Sequence, residues 1–383
     1  MAAIREEEGY VFVGGRKLRR GFTTGSCAAA ASKAAVQMLL SGEPVDFVDI
    51  MTPRGIPLHI AIEKIEMSGD RVSCAVRKDG GDDADDTNGA YIHAEVSRSS
   101  DEGVRIDGGV GVGRVTRKGL DQPPGNAAIN HVPRNMIVEA VEDVCQALKY
   151  AGGIEVKIYV PEGEKIAVRT FNSRLGIMGG ISILGTSGIV EPMSETALLG
   201  SIKAEMNVFM AEGRKYLLTV PGNYGKDFVK AYPALEGQTP VECSNFIGDF
   251  LDMAVEAGAE GVLLVGNLGK LVKLAGGIMN THSRNADSRM EILASNAILA
   301  GADAETAKRI LGCISTDDAL EVLNEKGLMK QTLEILIPKI EFHMNHRVKG
   351  DIKVAAITFS SEFGILGQTP GAEELLKKVG ARE

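Results

Sequence analysis

Residues 216–225 read YLLTVPGNYG and residues 261–270 read GVLLVGNLGK. In each, a short apolar run ends in a glycine-bearing loop, the position where α/β proteins place ligand loops. Further apolar strands are expected at Ile154–Val160, Ile181–Ile189 and Ile352–Phe359. They alternate with helical patterns near Ser194–Glu212, Phe246–Ala257 and Ala286–Ala300, and with more helix between Asp303 and Met344. Such alternation predicts a mostly parallel sheet.

Upstream the texture differs. Thr23, Thr24 and Ser26 offer N-cap oxygens, Ala28–Leu40 is rich in strong helix formers, and Gly42 supplies the stop. Strand-like runs follow at Val45–Met51, Pro57–Met67, Arg71–Arg77 and Tyr91–Val96. A helix from Pro133 to Tyr150 carries an apolar stripe through Ile137, Ala140, Val141, Val144 and Leu148. The chain is therefore expected to combine α/β with α+β in two domains. An α+β half covers residues 1–160 and a mostly parallel α/β half covers 161–383.

The chain has 383 residues, 44% of them hydrophobic and 24% charged, which excludes wholesale disorder. Its formal net charge of −9 argues against non-specific binding to nucleic acid or an anionic membrane, although it leaves room for a local basic pocket. The opening MAAIREEEGY has no secretory h-region. The longest uncharged stretch, Leu175–Val190, is shorter than the ~20 residues that span a bilayer. Five scattered cysteines without a C-x-x-C pair fit a reduced, cytoplasmic compartment and signal no metal site.

Three stretches carry candidate chemistry. In LRRGFTTGSCA (18–28), small and hydroxylated residues precede a helix whose first N–H groups attract anions. Arg19 and Arg20 add charge; the competing reading is a well-capped helix with a solvated basic lead-in. Cys27 reads as a reactive thiol at a helix start or, more simply, as a small packing residue. In KDGGDDADDTNG (78–89), five acids suggest calcium. With Asn88-Gly89 at positions five and six of an EF-hand loop, however, Ala84 falls on the first ligand position, so that motif fails. A solvated acidic turn and a carboxylate cluster facing a substrate remain as the two readings. In RLGIMGGISILGTSGIVEP (174–192), glycines among aliphatics let backbone approach a flat ligand, or simply form buried strands with tight turns. The fingerprint G-x-G-x-x-G is absent, so NAD is not supported. The loop Gly266–Lys270 resembles a P-loop, but Leu264 and Leu271 occupy its glycine and Ser/Thr positions. Lys270, Lys273, His282 and Arg284 are left as a candidate positive patch.

Taken together, the stretches 18–35, 78–89, 109–120 (GVGVGRVTRKGL), 128–137 (AINHVPRNMI), 171–195, 221–225, 243–252 and 266–283 resemble the cobalt-precorrin-5B C1-methyltransferase family. Two positions depart from its usual pattern: His131 stands where proline is frequent, and Asn267 where histidine is frequent. The resemblance implies methyl transfer from S-adenosylmethionine to C1 of a cobalt-bearing corrinoid, giving cobalt-precorrin-6A in anaerobic cobalamin biosynthesis. Cobalt arrives with the substrate only. A non-catalytic tetrapyrrole carrier or scaffold is the alternative, and homo-oligomerisation stays open.

On that reading Arg19, Arg20, Thr23, Thr24, Arg114, Arg117, Arg134, Lys270 and His282 are expected to hold the acidic macrocycle, with Lys118 as a further cation. Gly179, Gly180, Gly185, Thr186, Gly188, Glu191, Gly222 and Asn223 are expected to hold the donor, Glu191 accepting ribose hydroxyls. Asp79, Asp82 or Asp83 is expected to take the proton. Valine at Gly180 or Gly185 is expected to abolish donor binding and leave the fold intact.

Overall fold

The structure, a computed structural model, describes residue 4 and residues 9–379. Most of the opening segment read for an h-region lies outside the described residues. The chain divides into two compact units, Met1–Glu195 and Thr196–Glu383. Residues 161–195, expected with the α/β half, thus belong to the first unit.

The first unit is built on α1 (Thr24–Ser41), which Thr23 caps by accepting the Ser26 N–H at 3.2 Å and Gly42 closes at φ 77°. Its alanines let it lie deep, with Ala28, Ala30, Ala31 and Ala34 fully buried. Beneath it run β1 (Glu63–Ser68), β2 (Arg71–Arg77), β3 (Tyr91–Ser99), β4 (Val104–Gly108) and β5 (Gly153–Tyr159), in the order β1-β2-β3-β5-β4. All neighbours are antiparallel except β5 and β4. Period-two alternation sends Val72, Cys74 and Val76, Ile92, Ala94 and Val96, and Ile154, Val156 and Ile158 to one face. There they share a core with α1 and with Ile137 and Val141 of α2 (His131–Ala147). Each such aliphatic side chain contributes about 1.5–3 kcal/mol by leaving water. On the opposite face, His93 stacks on Tyr159 with ring centroids 4.5 Å apart.

Ile181–Ile189 is not one strand. Gly180–Ile181 pairs with Gly111–Val112, and Ile189–Val190 pairs with Gly21–Phe22. Between these bridges the Leu184 and Gly188 carbonyls accept hydrogen bonds from the start of α1, an aim that a regular strand would not give them. The hairpin Tyr10–Val13/Arg16–Arg19, which carries no alternating apolar signal, also goes beyond the sequence expectation.

The second unit takes up α3 (Glu195–Ala211) from its second residue and holds β6 (Tyr216–Val220), β7 (Val241–Glu242), β8 (Gly261–Asn267), β9 (Lys353–Ser360) and β10 (Gly364–Gln368). Their order is β7-β6-β8-β9-β10, with the first four parallel and β10 antiparallel. The expected mostly parallel sheet is present. Its strands read as continuous apolar runs because both faces are covered. Leu218, Val220, Leu263 and Val265 pack with Val229 of α4 (Asn223–Ala231). Leu217, Val262 and Leu264 are buried on the other face, the side of α5 (Ile247–Glu256) and α6 (Leu268–Leu274). The helices α7 (Arg289–Leu299), α8 (Ala304–Leu311), α9 (Thr316–Glu325), α10 (Met329–Val348) and α11 (Ala372–Lys378) complete the unit. In chain order the sheet reads second, first, third, fourth, fifth. The connection from β6 therefore leaves to one side and that from β8 to the other, opening a crevice beyond their carboxyl ends. Among the described residues, no helix is long and apolar enough to cross a membrane.

Candidate functional site

In the first unit the Arg19–Phe22 segment lies against the acidic loop. Phe22 N–H donates to the Asp79 carbonyl and Asp82 N–H to the Arg19 carbonyl, both at 2.9 Å. Arg19 grips Asp79 at two points, 2.5 and 2.7 Å, and donates its own N–H to Asp82 Oδ2 at 2.7 Å. The Arg19 guanidinium holds the Asp79 carboxyl below the usual carboxylate range, against a smaller opposing push from burial. Asp83 accepts the Met193 N–H at 3.0 Å. Lys78, 3% exposed, pairs with Asp85. Burial pushes the Asp85 carboxyl up, but the Lys78 charge and hydrogen bonds from Lys78 and Thr87 outweigh it and leave the group below its ordinary value. Glu191, expected to receive ribose hydroxyls, receives Arg20 at 2.8 Å and Arg54 at 2.5 Å.

The groups expected to form an anion site at the start of α1 are engaged within the unit. Thr23 and Gly25 N–H donate to the Gly188 and Leu184 carbonyls, each at 3.1 Å. The Thr24 hydroxyl donates to Leu184 O at 3.2 Å and the Ser26 hydroxyl to Gly188 O at 2.7 Å. Burial pushes the Cys27 thiol up to about 12, which fits the packing reading and not a reactive thiolate. Gly185 sits at φ 134°, and a Cβ there would overlap the Thr23 side chain. Valine at this position therefore strikes the fold itself, contrary to the expectation that the fold would stay intact. Gly180 pairs with Gly111, while Gly179 and Thr186 are exposed.

Three further arginines bond groups within the first unit. Arg114 bonds Asp107 at 2.6 and 2.8 Å and the Gly108 carbonyl at 2.8 Å. Arg117 donates to the Arg174 carbonyl at 2.8 Å, and Arg134 to those of Ile129 and Ile106 at 2.8 and 3.1 Å. Lys118 is exposed. His131 starts α2, its backbone N–H donating to Asp121 Oδ1 at 2.7 Å.

In the second unit, the crevice beyond β6 and β8 gathers another set. Gly222, at φ 131°, precedes Asn223, the first residue of α4, and the Lys270 ammonium donates to the Pro221 carbonyl. That φ is open to glycine and costly for other residues. Burial lowers the Lys270 pKa. Asn267 caps α6, its side chain accepting the Gly269 N–H at 2.8 Å. Of the expected positive patch, Lys273 is 2% exposed and donates to the Thr281 and Ala286 carbonyls at 3.1 and 2.8 Å. His282 lies exposed in a turn, its Nδ1 accepting the Arg284 N–H at 3.1 Å.

Glu242 was missed by sequence reasoning. It ends β7, half-buried, and Lys226 orients its carboxylate at 2.6 Å. A two-residue strand has no periodicity to read. The available signal was spacing, an acid twenty residues after Gly222, which suits a doubly wound sheet that takes ribose hydroxyls. A glycine turn leading into a helix start, with a carboxylate at the end of the neighbouring strand, is an arrangement that can accept the hydroxyls of a ribose. Among the described residues, no group of three or more His, Cys, Asp or Glu side chains is placed to hold a metal ion.

Comparison with known proteins supplies an independent line. The family model described as CbiD matches residues 12–192, and that described as CbiD, C-terminal domain, matches 280–370. The chain is 44% identical over 377 residues to a protein of Ruminiclostridium cellulolyticum, covering 97% of this chain and 98% of that one. It is 44% identical over 379 residues to one of Alkaliphilus metalliredigens, covering 98% and 100%. A protein of Photorhabdus laumondii is 41% identical over 368 residues, covering 95% and 96%. All three relatives are named cobalt-precorrin-5B C(1)-methyltransferase. A crystal structure of the cobalamin biosynthesis protein cbiD from Archaeoglobus fulgidus aligns with 29% identity and TM-score 0.40, over 72% of this chain and 86% of that one.

Proposed function

The chain belongs to the CbiD family, and from that membership we propose that it methylates C1 of cobalt-precorrin-5B, with S-adenosylmethionine as donor and cobalt-precorrin-6A as product. The donor supplies a methyl on a sulfonium sulfur; a C–C bond forms at C1, the S–CH₃ pair leaves with sulfur, and the macrocycle loses a proton. The protein's part is alignment, since the leaving group is already good.

The observation that carries the donor assignment is the strand order, which changes direction between β6 and β8. Gly222 opens the turn to close approach, α4 begins directly after it, and Glu242 at the end of the neighbouring strand offers acceptor oxygens for ribose hydroxyls. Lys270 fixes the turn through the Pro221 carbonyl. This reading keeps Gly222 and Asn223 from the expected donor set and replaces Glu191 by Glu242. It leaves Gly180, Gly185 and Gly188 as close-packed parts of the first unit and Gly179 and Thr186 exposed in its turns. Proton acceptance falls to Asp82 or Asp83, which accept backbone N–H groups, rather than to Asp79 under its guanidinium. The domain roles follow: corrinoid contacts in the first unit and donor contacts in the second.

Incubating the purified chain with cobalt-precorrin-5B and donor bearing a deuterated methyl tests this reading. One labelled methyl per macrocycle at C1 is the expected product. A chain that binds the macrocycle but neither binds nor consumes the donor would be the carrier of the alternative reading.

A further inference from the structure

The first unit has a cleft of about 460 Å³ between the segment Gly9–Phe22 and the paired strands Phe47–Met51 and Pro57–Ala61. That volume lies within the usual range for small-molecule sites. One wall is aromatic. Phe47 lies parallel on His59, ring centroids 4.9 Å apart and planes 7° apart, and Phe47 remains 48% exposed. The His59 ring is oriented by Asp49, Nδ1 to Oδ1 at 2.8 Å. Phe22, 4% exposed, contributes apolar surface beside it.

The cleft is also lined by three guanidinium groups. Asp79 fixes Arg19 and Glu191 fixes Arg20, so both present set geometries. The Arg77 side chain has no hydrogen-bond or ion-pair partner among the described residues, although its neighbours in the lining include Asp79 and Glu63. Glu63 accepts the Tyr91 hydroxyl at 3.0 Å. A planar cation lining the same cleft as a flat ring platform suits a ligand with a broad π face and acid groups on its rim.

Resting on the corrinoid reading above, we propose that this cleft seats the carboxylate-bearing edge of the macrocycle, with the Phe47–His59 pair as ring platform and Arg77 as carboxylate partner. The methyl donor is the competing flat ligand with an acid. It offers Arg77 a single carboxylate and brings a sulfonium and an ammonium besides, whereas the macrocycle brings several acid groups and no pendant cation. Phe47, His59 and Arg77 thereby join Arg19 and Arg20 as substrate-positioning residues.

The test uses the full chain and uroporphyrin, a flat tetrapyrrole with eight carboxylates, followed by its own absorbance because the chain contains no tryptophan. Mesoporphyrin, with two carboxylates, is the charge control, and S-adenosylhomocysteine calorimetry on the same samples checks that each variant retains its donor site. Arg77→Ala should weaken uroporphyrin about tenfold, flatten the salt dependence and narrow its advantage over mesoporphyrin. Phe47→Ala should weaken both porphyrins and leave the salt dependence in place. S-adenosylhomocysteine affinity should hold in both variants. Wild-type uroporphyrin affinity in both variants, failure of the unaltered chain to bind uroporphyrin, or a parallel loss of S-adenosylhomocysteine would each overturn the assignment. Methyl transfer by the unaltered chain is a separate readout, so losing the cleft assignment does not remove the activity, and absent transfer is not read as a failure of the cleft.

Discussion

Arg19 and Asp79, sixty positions apart in the chain, form a two-point ion pair at 2.5 and 2.7 Å. It binds the hairpin that carries the basic lead-in to the acidic loop, and it keeps Asp79 ionised. Because the folded pKa lies below the unfolded value, the pair adds stability above the unfolded pKa near 3.9 and loses it as pH falls through the folded one.

Arg19→Ala should return the Asp79 titration toward the ordinary carboxylate range in an NMR pH series. The side chains are 44% and 37% exposed, so the loss at neutral pH should be about 1 kcal/mol or less by urea melt, shrinking below pH ~4. An unmoved Asp79 titration would refute the pairing.

Gly185→Val should destabilise the first unit by roughly 3 kcal/mol, since it combines a backbone conformation hostile to branched residues with overlap at Thr23. Thermal melting of this variant at the wild-type temperature would show that the turn is open, as a ligand cradle requires.

His93 is 7% exposed, and neither ring nitrogen has a hydrogen-bond partner. Burial, with a smaller push from Lys64, lowers its pKa from 6.5 to about 4. Protons therefore bind the unfolded chain first as pH falls. The contribution is complete above pH ~6.5 and is lost progressively down to pH ~4, amounting to about 3 kcal/mol. His93→Phe should flatten that part of the stability–pH curve. An unchanged slope between those two values would count against the buried neutral ring.

Local chemistry made much of this legible. Thr23 and Gly42 bracket α1 as capping rules require, and the apolar runs of β6, β8 and β9 announce a covered parallel sheet. Long-range pairing was hidden. Nothing near Glu191 in the chain points to Arg20, 171 positions away, and the glycines of 179–188 look the same whether they face a ligand or Thr23. The sheet order places the crevice, yet the order depends on where the two-residue strand Val241–Glu242 docks, and no pattern in the sequence carries that. This is why Glu191 drew attention and Glu242 did not.

Glu242→Gln should weaken S-adenosylhomocysteine roughly tenfold by calorimetry, the cost of exchanging charged for neutral acceptors at two hydroxyls. Uroporphyrin binding should be untouched. Equal affinity for the product in the variant and the parent would remove Glu242 from the site.

The most direct measurement is a crystal structure of the full chain with S-adenosylhomocysteine bound. The account predicts the nucleoside beyond the carboxyl ends of β6 and β8, its ribose within hydrogen-bond reach of Glu242 and its chain against Gly222. Density for the nucleoside in the first unit, against the Gly179–Glu191 turn, would contradict it.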